Sequence, residues 1–367
     1  MKTESGKVTA SSTKALKPPH FWTLDVIRGL AILSIIAFHV LPLQRPLDPT
    51  IAWLEAVGPA SVSLFFVLSG FSVRLSHLRQ KENLPLSWNQ FFLRRFRRLY
   101  PPYLGAIVLA LTLNIVWSLL RGRNLAAFLP SPADLISHLL LVHTFHPQTF
   151  FGIIPALWFV GVLTYLYLLY PLFCRLIQDL GENRALLLVF LVTLGSRMFS
   201  HTLLSPSAPP DLIGFIQNNV LQRWFEWCLG AFIAARVVRQ EALSLLLSVG
   251  GGISFACWLL LPQSQGWVSD LFFGVGIACL LWYVVDHESQ WKLHPLWRPC
   301  LWLGQLSYPI FLLHQVFVPY VRSAMEPSPM KTLPMLLVIM GIVMLITIPL
   351  SILFHLFLEK PIGLRSR

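Results

Sequence analysis

Three ionisable residues share one apolar stretch near the start of the chain: Asp25, Arg28 and His39, in Leu24-Asp25-Val26-Ile27-Arg28-Gly29-Leu30 through Phe38-His39. At 100° per residue, the eleven steps from Arg28 to His39 make three turns plus about 20°. The two side chains therefore share a helix face, about 16 Å apart along its axis, and Asp25 lies on nearly the same face. An ionisable group inside an apolar span is costly and marks a functional path by default. Histidine, with an unperturbed pKa near 6.5, is the side chain suited to moving protons near neutral pH. The structural alternative is an Asp25–Arg28 ion pair with an interior histidine beyond it.

Other segments carry candidates of the same kind. Phe92-Leu93-Arg94-Arg95-Phe96-Arg97-Arg98-Leu99-Tyr100-Pro101-Pro102-Tyr103 sets four arginines at the mouth of an apolar run, with Arg95 and Arg98 on one helical face. Arginine forks suit phosphate oxygens, and the same cluster serves equally as an anchor on anionic lipid. Ser69-Gly70 reads on its own as small residues that let helices pack closely. Glu226, in Arg223-Trp224-Phe225-Glu226-Trp227-Cys228, either pairs with a basic residue or exchanges protons. His314 is a second imidazole inside an apolar run. His143 and His146 share a face, yet no cysteine or carboxylate stands near them, so no metal site is expected. Cys174, Cys228, Cys257, Cys279 and Cys300 are far apart without CxxC spacing and read as buried free thiols.

The elements that must hold these residues follow from composition. Only 12% of the 367 residues are charged and 55% are hydrophobic, with a mean hydropathy of +0.66. A soluble domain has about 25% charged residues, and too little polar sequence remains here to coat a water-soluble globule. A soluble enzyme, a disordered chain and a nucleic-acid binder relying on its net charge of +12 are excluded. The chain reads as an all-α, polytopic membrane protein. About ten stretches approach the roughly 20 apolar residues a helix needs to span, at 24–41, 60–78, 101–120, 156–174, 185–200, 219–235, 242–261, 268–286, 299–319 and 334–358. The segment 133–145 is too short and reads as interfacial or re-entrant. Lys and Arg outside the first span divide 20 to 7 in favour of the N-terminal side, which places both termini in the cytoplasm. Residues 1–20 are expected to form a disordered cytoplasmic tail, 21–361 one membrane domain and 362–367 a short cytoplasmic tail.

Taken together and in order, these segments resemble the acyltransferase-3 family of integral membrane O-acyltransferases, over nearly the whole chain. The family opens on an Arg and a His separated by ten residues, matched by Arg28 and His39. Its Arg-x-x-Arg motif is met best by Arg95 and Arg98, with Arg94 and Arg97 as a second register. The Phe-Phe-x-x-Ser-Gly-Phe run at Phe65, the Glu-Trp-x-x-Gly pattern at Glu226, Ser307-Tyr308 with His314, and the closing Glu359-Lys360-Pro361 are also similar. Two positions depart from it. Many members have an Asp where this chain has Ser63, and a Glu where it has Leu163; the Leu157-Trp158-Phe159 version suggests a different branch. The esterase-like extra domain of some members is not expected here.

The resemblance implies transfer of an acyl group, usually acetyl from acetyl-CoA, to a hydroxyl of a carbohydrate or lipid-linked glycan, in the bacterial inner membrane and without a metal. Arg94, Arg95, Arg97 and Arg98, with Ser69, are then the donor-binding candidates. His39 would act as general base, a role typically contributing roughly 10²–10⁴-fold, or as an acyl carrier. Arg28, Asp25 and Glu226 complete the catalytic candidates, and His314, Tyr308 and Trp158 are candidates for contacting the acceptor. The rival from another class is a transporter or exporter of a glycan precursor using the same polar stripe; a non-catalytic scaffold is a third reading.

Overall fold

The computed structural model describes residues 21–41, 47–79, 87–122, 124–125, 129–205, 207–261, 266–325 and 332–360. Both expected tails, Pro361 of the closing motif, and the loop cations Arg45, Lys81, Arg123 and Lys331 lie outside them. All regular structure among the described residues is helical. The helices of eight or more residues are α1 (Trp22–His39), α2 (Leu54–Leu78), α3 (Trp88–Leu120), α4 (Pro132–Leu139), α5 (Leu157–Leu180), α6 (Glu182–Leu203) and α7 (Pro210–Gln217). They continue as α8 (Val220–Val238), α9 (Leu245–Leu260), α10 (Gly266–His287), α11 (Arg298–Gln305), α12 (Ser307–Met325) and α13 (Leu333–Phe354). In lipid, a helix satisfies its own backbone groups internally, and this is why apolar sequence of such length takes no other form.

The protein is a multi-pass integral membrane protein. Among the described residues, seven helices are long and apolar enough to cross a membrane, α1, α2, α3, α5, α6, α10 and α13; α11 and α12, bent by 74°, make up to eight as one broken span. Each of the ten stretches expected from the sequence is helical, but two are not among the spanning helices, one for its charges and one for its length. The helix α8 carries Arg223, Glu226 and Arg236, and α9 has only 16 residues. The polarity is that of a lipid-embedded bundle. Leu246 on α9 and Leu345 on α13 are 81% and 75% exposed, while Glu226, Arg197 and His314 are 0–2% exposed inside. Such large apolar exteriors need a lipid or partner surface.

Two helix crossings set the frame, and both depend on paired glycines. A Cβ at Gly70 on α2 would stand 1.8 Å from the carbonyl oxygen of Trp227 on α8, and one at Gly230 would stand 1.9 Å from that of Val67. Likewise, Gly29 of α1 meets the Cys300 carbonyl and Gly304 of α11 meets that of Asp25. Small residues let membrane helices approach backbone to backbone, and here each glycine of a pair serves the other's helix. Ser69-Gly70 therefore carries the packing role its small residues allowed. The start of α1 is tied to the turn after α10, where Glu288 accepts from the backbone N–H groups of Trp22 and Thr23 and from the Thr23 hydroxyl.

Some charges counted as loop cations prove to be interior. Arg197 and Arg223 are buried in ion pairs and Arg74 is buried beside Cys174. One comes out of the larger count and two out of the smaller, so the charge bias keeps its sign. The five cysteines are free, Cys174 and Cys228 buried and the other three half-buried.

Candidate active site

The functional candidates gather at two levels of the bundle. The first is a cavity of ≈ 100 Å³ toward the end at which α1 begins, bounded by α1, α2, α3, α5 and α12. Arg28, Arg95 and Arg98 all line it, and among its described lining residues none is acidic. Arg28 is held on both sides: Nη1 donates to Asp25 at 2.8 Å, and Nη2 to the Ser72 hydroxyl at 2.8 Å. Asp25 thus neutralises Arg28 from outside the lining, and among the described residues no carboxylate pairs with Arg95 or Arg98. The Arg95 guanidinium lies 5.5 Å from the Phe91 ring centre and 5.8 Å from that of Tyr167. Arg94 and Arg97 are exposed and do not line the cavity. The Arg95/Arg98 register is the one that lines the cavity, with Arg95 half-buried and Arg98 exposed.

Local backbone explains how those arginines arrive there. Helix α3 runs unbroken for 33 residues through Pro101 and Pro102, so the arginines ride on the same rod as the span beyond. Proline lacks an N–H, which loosens the turn before it, and the Tyr308 hydroxyl donates to the Leu99 carbonyl there at 2.7 Å. Tyr308 stands at the start of α12, just past the 74° break. Ser307 and Tyr308, the first two residues of that helix, form part of the cavity wall. A helix N-terminus carries about half a positive charge and favours anions. Ser69 completes the wall: its hydroxyl is 3.3 Å from that of Tyr167 and accepts from Trp227 Nε1 at 3.3 Å.

Phe65, Phe159 and Phe311 close the cavity on the side away from the arginines, with Phe159 and Phe311 ring centres 5.0 Å apart. One turn beyond Phe311 on α12 comes the second level. His314 Nε2 is 3.1 Å from His39 Nδ1, and His39 Nδ1 is also 2.9 Å from the Ile35 carbonyl. The hydrogens can be assigned from the partners. His314 Nδ1 faces the Phe311 carbonyl at 2.7 Å, so it carries the N–H and Nε2 is left as acceptor. His39 then donates from Nδ1, shared between His314 and Ile35, and its Nε2 keeps the free lone pair. The arrangement leaves His39 oriented as a base. The sequence placed His314 with the acceptor; the structure sets it directly against His39. Spacing on one helix could not reveal this contact, because the partners are 275 residues apart.

The remaining candidates lie apart. Glu226 is fully buried between Arg197 Nη2 at 2.8 Å and Arg223 Nη1 at 3.2 Å. Asp270 of α10, 2.7 Å from Arg223, adds a second carboxylate. Arg223 also donates to the Ser63 hydroxyl at 3.0 Å. Where the resembled family often has an acid, this chain thus has a serine, and Asp270 on another helix supplies the charge. Leu163, the other departure, lines the arginine cavity and keeps it free of a carboxylate. Trp158 stacks on Phe150 and packs against Phe66, as part of the aromatic core. His143 stacks on His138, not on His146, and bonds to the Leu157 carbonyl at 3.1 Å. Burial, with His138 beside it, pushes His143 down to about 3.

Comparison with known proteins identifies the family of the chain. The family described as an acyltransferase domain, of the acyltransferase-3 type, matches residues 21–356. The chain is 25% identical to a peptidoglycan O-acetyltransferase of Listeria monocytogenes over 331 residues, 83% of this chain and 50% of that protein. It is 24% identical to an O-acetyltransferase of Staphylococcus aureus, covering 95% of this chain and 58% of that one. The chain therefore spans about half the length of the curated relatives it matches. No solved structure matches it. The chain belongs to the acyltransferase-3 family.

Proposed function

We propose that this member of the acyltransferase-3 family moves an acetyl group from acetyl-CoA to a hydroxyl of a glycan or lipid-linked sugar, in the bacterial inner membrane with both termini cytoplasmic. One observation carries the reading: a cavity holding three arginines and no lining acid, beyond whose Phe311 wall His314 lies one turn on and contacts His39, the histidine with a free Nε2. Arg95 and Arg98 suit the phosphates of a CoA ester, and the start of α12 adds its dipole to theirs. Arg28, fixed by Asp25 and Ser72, keeps one wall of the cavity in place for the donor.

The chemistry asked of His39 is that of a general base. As the acceptor oxygen attacks the thioester carbonyl, His39 Nε2 takes the hydroxyl proton and a C–O bond forms. The tetrahedral adduct then collapses, the C–S bond breaks, and the CoA thiolate leaves. The imidazolium returns the proton to the sulfur, so that the products are an acetyl ester and CoA thiol. His314 holds the reactive tautomer throughout by accepting from Nδ1.

The test uses purified full chain and labelled acetyl-CoA. Saturable binding with turnover to free CoA, competed by unlabelled CoA and abolished in a folded His39→Ala variant, is the expected result. A carrier of glycan precursors would ignore the thioester, and indifference to acetyl-CoA would refute the assignment.

A further inference from the structure

A separate cavity of ≈ 120 Å³ lies between α3 and α5, sharing only Arg95, Leu99 and Tyr167 with the arginine cavity. Among its described lining residues, Arg95 alone is charged. One wall is a flat ladder of rings on α3. Phe96 stacks on Tyr100 with centres 4.5 Å apart, and Tyr100 on Tyr103 at 6.1 Å, each pair of planes within 21°. Steps of four and three residues keep these rings on one helix face. Their polar ends are engaged elsewhere: the Tyr100 hydroxyl donates to the Leu139 carbonyl at 2.7 Å and that of Tyr103 to the His138 carbonyl at 2.9 Å. On the opposite wall the Thr164 hydroxyl turns back to the Val160 carbonyl at 2.8 Å. The space is therefore left to ring faces and aliphatic carbon. Phe96 and Leu168, each about half exposed, form its rim on the outside of the bundle.

Beside that rim stand the two arginines that the donor cavity does not use. Helix α3 carries Arg94, Arg95, Arg97 and Arg98 and no carboxylate over its 33 residues. Arg94 and Arg97 are exposed and line neither cavity. Arg97 directly follows Phe96, and at 100° per residue it lies about 60° round the helix from Tyr100.

We propose that this cavity holds one acyl chain of an anionic phospholipid, whose phosphate is bound by Arg97 and Arg94. The site stands independently of the acyl-transfer reading. Arginine clusters where a helix enters a membrane attract anionic headgroups, and the guanidinium fork matches phosphate oxygens. A hydrocarbon chain gains no hydrophobic drive by passing from lipid into an apolar cavity. What holds it is close contact with the ring faces together with the tethered headgroup. Charge thus selects the lipid, and the aromatic ladder fixes its chain. A chain seated there backs Arg95 and Tyr167, the wall common to both cavities, from the membrane side.

Native mass spectrometry of the purified full chain, titrated with phosphatidylglycerol and with phosphatidylcholine of the same chains, tests the proposal. Phosphatidylglycerol should be retained about tenfold or more over phosphatidylcholine, the value of two arginines beside an anionic headgroup. The Arg94→Ala/Arg97→Ala double variant should abolish that difference. Thr164→Phe, which fills the cavity without changing charge, should cut phosphatidylglycerol retention about fivefold or more. Equal retention of the two lipids overturns the proposal. So does a preference that survives the double variant, or retention that Thr164→Phe leaves unchanged. Glycerophosphoglycerol, the same headgroup without chains, should not displace the lipid; displacement would leave a bare phosphate contact and overturn the site. That arm uses the parent protein, and it decides if Thr164→Phe does not fold.

Discussion

Replacing His314 by alanine separates a positioning role from a chemical one. The substitution removes the acceptor 3.1 Å from His39 Nδ1 but leaves the Ile35 carbonyl at 2.9 Å. His39 therefore loses one shared hydrogen bond and is not left with an orphaned N–H. A neutral hydrogen bond contributes about 0.5–1.5 kcal/mol net, and each 1.36 kcal/mol is tenfold in rate. The expected fall in kcat is thus about 2- to 13-fold, against about 10²-fold or more for His39→Ala, which removes the base itself. The assay is CoA release at saturating acetyl-CoA in proteoliposomes, with thermal stability followed in parallel. The KM for acetyl-CoA should stay unchanged, because Phe311 stands between His314 and the arginine cavity. His314→Gln, which can offer an acceptor oxygen, should recover part of the rate. A kcat within twofold of the parent would reduce the pair to packing. A fall as deep as that of His39→Ala would mean that His314 itself handles the proton, and the tautomer argument would be wrong.

Three further outcomes follow from the same geometry. Arg95→Ala and Arg98→Ala should each weaken acetyl-CoA binding by about 10- to 150-fold, the value of a charge-assisted bond of about 1.5–3 kcal/mol. Arg94→Ala should change it little, and equal losses in all three by equilibrium binding would return the cluster to a lipid anchor. Gly70→Leu must push α2 off the Trp227 carbonyl, at or above the 1–3 kcal/mol usual for overpacking; an undiminished yield of folded protein would contradict the crossing. Glu226→Gln should lower thermal stability by about 3 kcal/mol, the lower end of the range for breaking a buried pair, since Asp270 still compensates Arg223. It should leave acetyl-CoA affinity intact, and loss of turnover in a folded Glu226→Gln protein would make Glu226 a proton-exchange group after all.

The family and the membrane class were legible in the residues, and so was the list of groups worth testing. Composition forced a lipid solvent, because 12% charged residues cannot coat this much apolar surface. Periodicity on α1 put Arg28 and His39 on one face, and spacing offered two arginine pairs, Arg95 with Arg98 or Arg94 with Arg97. Those are properties of a single helix, which local sequence specifies. What each group touches was decided elsewhere. Arg94 and Arg97 differ from Arg95 and Arg98 in which neighbours the helix packs against, and one of these, Tyr308, bonds to Leu99 from the far side of the chain. Glu226 read equally well as a shuttle or as half of an ion pair until α6 brought Arg197 to it. His314 looked like an isolated imidazole until the glycine-bound junction of α1 and α11 fixed where α12 begins and laid it against His39. Sequence set the chemistry available on each helix; the crossings set by backbone contact at Gly29, Gly70, Gly230 and Gly304 decided which chemistries meet.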